Sequence, residues 1–426
     1  MTLSTLGVFS LLLYSCTTQA QVGTVTPLAQ RCPGLPHIAA VVCVNHYAAV
    51  LPYPFARGRS LNGDLLRNDT FALTRVPADP SFSLVSKADF IVFDEIRGLD
   101  ILGSSPKLEF VFNTRNDSIH EAPVYVPPPL NAIIYSLPHQ GIFEQQIINL
   151  NGSKPTIANY TTTPPVYAVN GGRYYNGHIY WAVEGGVPFP GPKGSTIMQT
   201  PGIYQLNPMT GRVTTLLNNY YGDQFNSPND LYIDSRGDIW FTDSWYGYAI
   251  NVTASPVLPT ATYRFRPSTG AVSIVENTLQ QPNGIGVSPD GRTMYLTDTG
   301  ITDFSKPVPP NVLPRYTYNP LGGHAVYAFD VNFAPPGNYL TAKRPIWLTE
   351  EFADDGFHVA RNGYLIGASG FGVDVLSEYG ELLVRIETDY VVNNVQFAGP
   401  DLKDLWLFGS GGISRVKWNL QGMHVE

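Results

Sequence analysis

The sequence predicts an all-β chain closed into a six-bladed β-propeller. Three observations predict it: a surplus of turn residues, a hairpin motif that recurs six times, and strand candidates at both ends of the repeated region that can close a ring. Of 426 residues, 40 are glycine and 36 proline, while 43% are hydrophobic and only 14% charged. A charged share that far below the roughly 25% of ordinary soluble domains excludes a disordered chain or a coiled coil, and the turn-rich mixture suits many short strands. Acidic residues number 34 and basic residues 26, for a formal charge of −8, and the basic residues never cluster beyond the Arg57 and Arg59 pair. That balance excludes a nucleic-acid surface.

Residues 1–20 contain no charged side chain and hold an apolar stretch from Leu6 to Leu13, followed by small polar residues up to Ala20. This is the pattern of a secretory signal peptide, and the stretch is too short to cross a membrane. A secreted or secretory-lumen location and no membrane span are expected. Cleavage removes Cys16 and leaves Cys32 and Cys43, eleven positions apart. An even pair in an oxidising compartment predicts a disulfide, with free thiols as the alternative; by loop-closure entropy the bond contributes at most about 3 kcal/mol. Five Asn-x-Ser/Thr sequons, at Asn68, Asn116, Asn151, Asn159 and Asn251, suit glycosylation in the same compartment. The expected organisation is a signal peptide (1–20), a disulfide-pinned N-terminal extension (21–84) and one propeller (85–426).

The repeat is plainest in PNDLYIDSRGDIWFTDS (228–244) and PNGIGVSPDGRTMYLTDT (282–299). Each opens with Pro-Asn, runs into a short apolar strand, turns at a glycine-containing tetrapeptide and returns as a strand ending in Thr-Asp, which is β-hairpin chemistry. DDGFHVARNGYLIG from Asp354 repeats the plan, and weaker copies begin at His120, Val169 and Asn393. Copies spaced 39 to 72 residues apart are long enough for four-stranded blades. The widest interval holds a proline-rich insertion from Lys306 to Pro320, expected to be a surface loop. The last copy lies so near the C-terminus that its blade must take an outer strand from upstream, where DFIVFDEI (89–96) and LEFVF (108–112) are the candidates.

A polar residue precedes the first strand in each strong copy: Glu121, Asn229, Asn283 and Asp355. In a propeller the first strands line the central channel, so equivalent positions converge on its axis. Two carboxylates and two amides there form an all-oxygen cage suited to a hard divalent ion such as Ca²⁺. The alternative is that each is a turn-former bonded to nearby backbone. The pairs Thr242/Asp243 and Thr297/Asp298 share a phase at the far end of the second strand and are read as structural hydrogen-bonding residues. His120 adjoins Glu121, and His358 follows Asp355 by three positions; either is a structural histidine or a proton-handling neighbour of the cage. Strand alternation sends positions 355 and 358 to opposite faces, which argues against His358 in catalysis. Tyr174, Tyr175, Trp181, Trp245 and Tyr246 either line a pocket mouth or pack within blades.

The motifs HEAPVY, SPNDLYID, QPNGIGVSPDG and DDGFHV resemble, in order, those of the SMP-30/gluconolactonase (regucalcin-like) family, especially its fungal lactonohydrolase branch. The resemblance spans roughly residues 85 to 420. It implies a six-bladed propeller with a divalent cation in the channel, held by the glutamate at Glu121, the asparagines at Asn229 and Asn283 and the aspartate at Asp355. Where regucalcin-like members carry a substrate-contacting arginine two positions before the first asparagine, this chain has Ser227.

The resulting expectation is a secreted, metal-dependent lactonohydrolase that opens the ester bond of a small lactone with metal-activated water, Asp355 as general base and Glu121 chiefly holding the metal. A non-hydrolytic isomerisation or cyclisation on the same fold, and a ligand-binding propeller with a structural metal, are the competing readings. Neither a Gly-x-Ser-x-Gly elbow nor a glycine-rich nucleotide loop is present in the sequence, so covalent serine catalysis and dinucleotide chemistry are not expected.

Overall fold

The hairpin motif folds as its turn chemistry requires. In PNDLYIDSRGDIWFTDS, strands Pro228–Ile233 and Ile239–Asp243 are joined by a turn built on Asp234. Its Oδ1 accepts the N–H groups of Arg236 and Asp238 at 2.9 and 3.1 Å. Gly237, at φ 77°, supplies the left-handed residue. Trp240 donates its indole N–H to the other oxygen of Asp234 at 3.1 Å, which locks the turn to the second strand.

This is a computed structural model, and it describes residues 26–58, 67–114, 119–138, 145–303, 317–319, 321–332 and 339–424. The signal segment, Asn116 and most of the 306–320 insertion lie outside the described residues.

The chain is an all-β propeller. Its innermost strands, in order, are Glu121–Val126, Val169–Tyr175, Pro228–Ile233, Pro282–Val287, Asp354–Val359 and Val391–Ala398. Each packs on the next, and the last packs on the first, so the ring is closed. The expectation of six uniform four-stranded blades is corrected in one respect: five sheets have four strands, and the sheet that starts with Asp354–Val359 has seven. Two of its extra strands come from the N-terminal extension, and the third from just past it. Phe90–Val92 pairs antiparallel with Leu382–Glu387, Val41–Val44 runs parallel to Phe90–Val92, and Ala29–Arg31 pairs with Val41–Val44. The disulfide between Cys32 and Cys43 ties off that outer hairpin.

Closure uses the second of the two strand candidates. Lys107–Asn113 pairs antiparallel with the C-terminal strand Gly412–Lys417 and completes the last sheet. The first candidate, which contains Phe90–Val92, was drawn into the seven-stranded sheet instead.

Alternating inward side chains fill the spaces between sheets, with Trp181, Trp240 and Trp406 all buried. Trp181 therefore belongs to the packing between the first two sheets. The seven-stranded sheet also buries a charge cluster. Arg385, fully enclosed, bonds Glu351 at 2.6 Å, Asp374 at 2.7 Å and Glu387 at 3.0 Å. Arg57 of the extension pairs with the adjoining Glu350. Among the described residues no helix is long and apolar enough to cross a membrane.

Candidate active site

All six inner strands carry an irregularity at the same depth. Ladder partners jump from Glu121 to Val124, Val169 to Gly171, Pro228 to Leu231, Pro282 to Ile285, Asp354 to Phe357 and Val392 to Asn394. Each jump is a bulge of one extra residue, which bends the strand and re-aims its side chains. The repeat-phase polar residues sit in or beside these bulges. Glycine permits the close approach: a Cβ at Gly356, next to Asp355, would meet the Asn394 side chain at 2.3 Å.

The four residues selected by repeat phase come together. Asp355 accepts the side-chain N–H of Asn283 at 2.9 Å and is also hydrogen-bonded by Asn393. Glu121 accepts the side-chain N–H of Asn394 at 2.8 Å. Asn229 bonds Glu184, which also accepts from Asn170. Sequence reasoning missed Asn170, Glu184, Asn393 and Asn394. Asn170 and Asn394 lie at the repeat phase and were discoverable from it; Glu184 follows a second strand, where no repeat partner flags it. Tyr246, on the short helix Tyr246–Ala249, does reach the site: its hydroxyl bonds Thr299 and Asn283.

Burial raises the carboxylates of this site, as it also raises Asp243, Glu350, Asp354 and Glu387. Burial pushes Asp355 up to about 7 and Glu184 up to about 8, against the hydrogen bonds that favour their charged forms. Glu121 rises well above the ordinary carboxylate range through burial and the neighbouring Asp355 charge. Asp230, beside Asn229, is raised by burial although Arg173 stands 3.8 Å away.

The Thr-Asp pairs hold the scaffold. Asp243 is completely buried and accepts the backbone N–H groups of Asn226 and Ser227 at 3.1 and 2.6 Å. Asp298 does the same for Gln280 and Gln281 at 3.0 and 2.9 Å. Thr242 Oγ1 donates to the Asn283 carbonyl at 2.7 Å, linking the second strand of one sheet to the inner strand of the next. Ser227 is fully buried, and its hydroxyl accepts the Gly247 N–H at 2.8 Å, so it anchors the Tyr246 helix.

The histidines separate. His120 is buried with its ring 5.9 Å from that of Tyr135, within the packing of the first sheet. His358 faces the channel after all, because the bulge between Asp354 and Phe357 inverts the alternation used to turn it away. It lies deeper than Asp355, with Nε2 2.9 Å from Arg173 Nη1, and burial with the Arg173 charge holds it well below its usual pKa. Its contact is with Arg173, not the carboxylates.

Among the described residues no three of His, Cys, Asp and Glu form a metal-holding group. The ring is instead amide-rich, and its donors are all oxygen. Glu184 Oε2 is buried without a hydrogen-bond partner. Four carboxylates, Glu121, Glu184, Asp230 and Asp355, share the channel with the guanidinium of Arg173. This donor set and its negative charge fit a hard divalent cation, and do not suit a thiolate- or imidazole-preferring metal.

Comparison with known proteins places this geometry. A lactonohydrolase of Aspergillus oryzae, oryL, is 42% identical over 94% of this chain and 90% of its own length. The chain belongs to the SMP-30/gluconolactonase family. A second lactonohydrolase from Aspergillus oryzae, oryH, is 37% identical over 94% of this SMP-30/gluconolactonase family member and 95% of its own length. The family's sequence profile, described as "SMP-30/Gluconolactonase/LRE-like region", matches residues 142–304. Among solved structures, a gluconolactonase from Xanthomonas campestris superposes with a TM-score of 0.58 at 20% identity, covering 76% of this chain and 94% of its own. Regucalcin from Agrobacterium tumefaciens, a calcium-binding protein, superposes with a TM-score of 0.53 at 15% identity, covering 75% and 96%. Both share the fold.

Proposed function

We propose that the chain is a secreted lactonohydrolase that depends on a divalent cation, most simply Ca²⁺, and opens a small lactone to its hydroxy acid. The observation that carries this is the convergence of Glu121, Asn229, Asn283 and Asp355 on bulged inner strands, in a relative of lactonohydrolases. We count the seven-stranded sheet as one blade position, for six in all, and keep residues 21–84 as the extension and 85–426 as the propeller. Secretion is supported by the apolar leader and the disulfide, and glycosylation by the exposure of Asn68, Asn151, Asn159 and Asn251.

Glu121, Asn229, Asn283 and Asp355 would hold the cation. When bound, it polarises the lactone carbonyl and lowers the pKa of a water. Asp355 takes a proton from water as the water oxygen bonds to the carbonyl carbon. The ring C–O bond then breaks, and the proton passes to the departing alkoxide oxygen. Asn283 and Asn393 fix the Asp355 carboxylate, and Asn394 fixes Glu121. The Tyr246 hydroxyl, bonded to Asn283, would contact substrate beside the cation.

The test is a hydrolysis screen on aldonate, pantoyl and aromatic lactones with and without chelator. Turnover abolished by chelator, restored by Ca²⁺ and lost in Asp355→Asn is expected. Folded, cation-loaded protein inert on every lactone would defeat the proposal.

A further inference from the structure

The channel is divided. Arg173 projects from the second inner strand, and its guanidinium donates to the carbonyls of Leu231 at 3.0 Å, Ile285 at 3.1 Å and Phe357 at 3.2 Å. These carbonyls lie on three further inner strands, two residues past Asn229, Asn283 and Asp355, hence about 7 Å deeper along the axis. The carboxylate ring is on one side of this plug. On the other is a cavity of about 380 Å³ with Arg173 and His358 as its floor and Tyr174, Tyr175, Tyr232 and Trp240 among its walls.

We propose that this cavity is a second small-molecule site, for a neutral, mainly aromatic compound with a carbonyl acceptor directed at Arg173. Its volume lies within the roughly 300–1,000 Å³ typical of small-molecule sites, and an aromatic wall with few convergent polar groups is their usual lining. The donor group is built in, because Arg173 is fixed by the three carbonyls and His358 and still lines the cavity. Neutrality follows from the charges. Arg173 already faces the Asp230 carboxylate at 3.8 Å, and the lining acids Asp234 and Asp290 leave no surplus positive charge. An incoming carboxylate would meet a cation already balanced, whereas a carbonyl oxygen needs only an N–H. Both acids are held by their own turns, Asp234 by Trp240 and Asp290 by the Ser288 hydroxyl at 2.6 Å.

Titration of the full chain with prodan, a neutral aromatic ketone whose emission shifts to the blue in apolar surroundings, tests this. A saturable blue shift at a single site is expected, and Arg173→Met and Tyr175→Ala should each weaken it by about tenfold or more. Should Arg173→Met lose its native circular dichroism, Tyr175→Ala decides alone. Absence of saturable binding, or unchanged affinity in the folded variants, overturns the proposal. Tighter binding of the anionic anilinonaphthalene sulfonate than of prodan also overturns it, since the site would then select charge.

Discussion

Replacing Asp243 by alanine removes two acceptors at once, and the buried N–H groups of Asn226 and Ser227 lose their partners. An orphaned buried donor costs about 1–3 kcal/mol, so the variant should lose about 2–6 kcal/mol of stability. Asp243→Asn keeps one oxygen but turns an amide N–H towards a backbone N–H, and should lose about 1–3 kcal/mol. The two N–H groups lie just before Pro228 and Asn229, so their release should also weaken divalent-cation binding, measured by calorimetry on the refolded variant. Urea denaturation at pH 8 supplies the stability difference, read from the midpoint at unchanged slope. A loss below about 0.5 kcal/mol in Asp243→Ala, the size expected of a neutral surface change, would refute the assignment of this carboxylate as the clamp on the inner strand.

Burial raises Asp355 from 3.8 to about 7 and Glu184 from 4.5 to about 8. The folded state therefore keeps protons that the unfolded chain has released, and stability should fall as pH rises from about 4 to about 8. Thermal melts of chelated protein across that range should show the decline, and added Ca²⁺ should flatten it; a melting point that rises with pH in chelator contradicts the burial argument. Arg385→Met strands several enclosed carboxylates and should cost about 3–5 kcal/mol in urea denaturation, more than a typical surface change.

The sequence made the propeller legible because its turn chemistry is local and repeated: Asp234 and Gly237 specify their hairpin wherever the chain goes next. The seven-stranded sheet was not legible. Val41–Val44 meets Phe90–Val92 in parallel across nearly fifty residues, and a short apolar run does not reveal its partner. At the site, repeat phase selected Glu121, Asn229, Asn283 and Asp355 and could also have selected Asn170 and Asn394. Alternation failed at His358 because a bulge adds a residue without any sequence mark. Glu184 shares its phase with Ser244 and Thr299, which carry no carboxylate to flag it, and only the folded second sheet brings it to Asn229.

The pairing of Lys107–Asn113 with Gly412–Lys417 has a temporal meaning during synthesis. Glu121 follows the early strand by only a few residues, yet that strand finds its partner only after nearly the whole chain has left the ribosome. Until then its edge is an unpaired template for other chains, and such long-range pairing is slow to form. A nascent or C-terminally shortened chain thus holds its first ring carboxylate on an unanchored segment. The proposed site is completed last, once Gly412–Lys417 has been made.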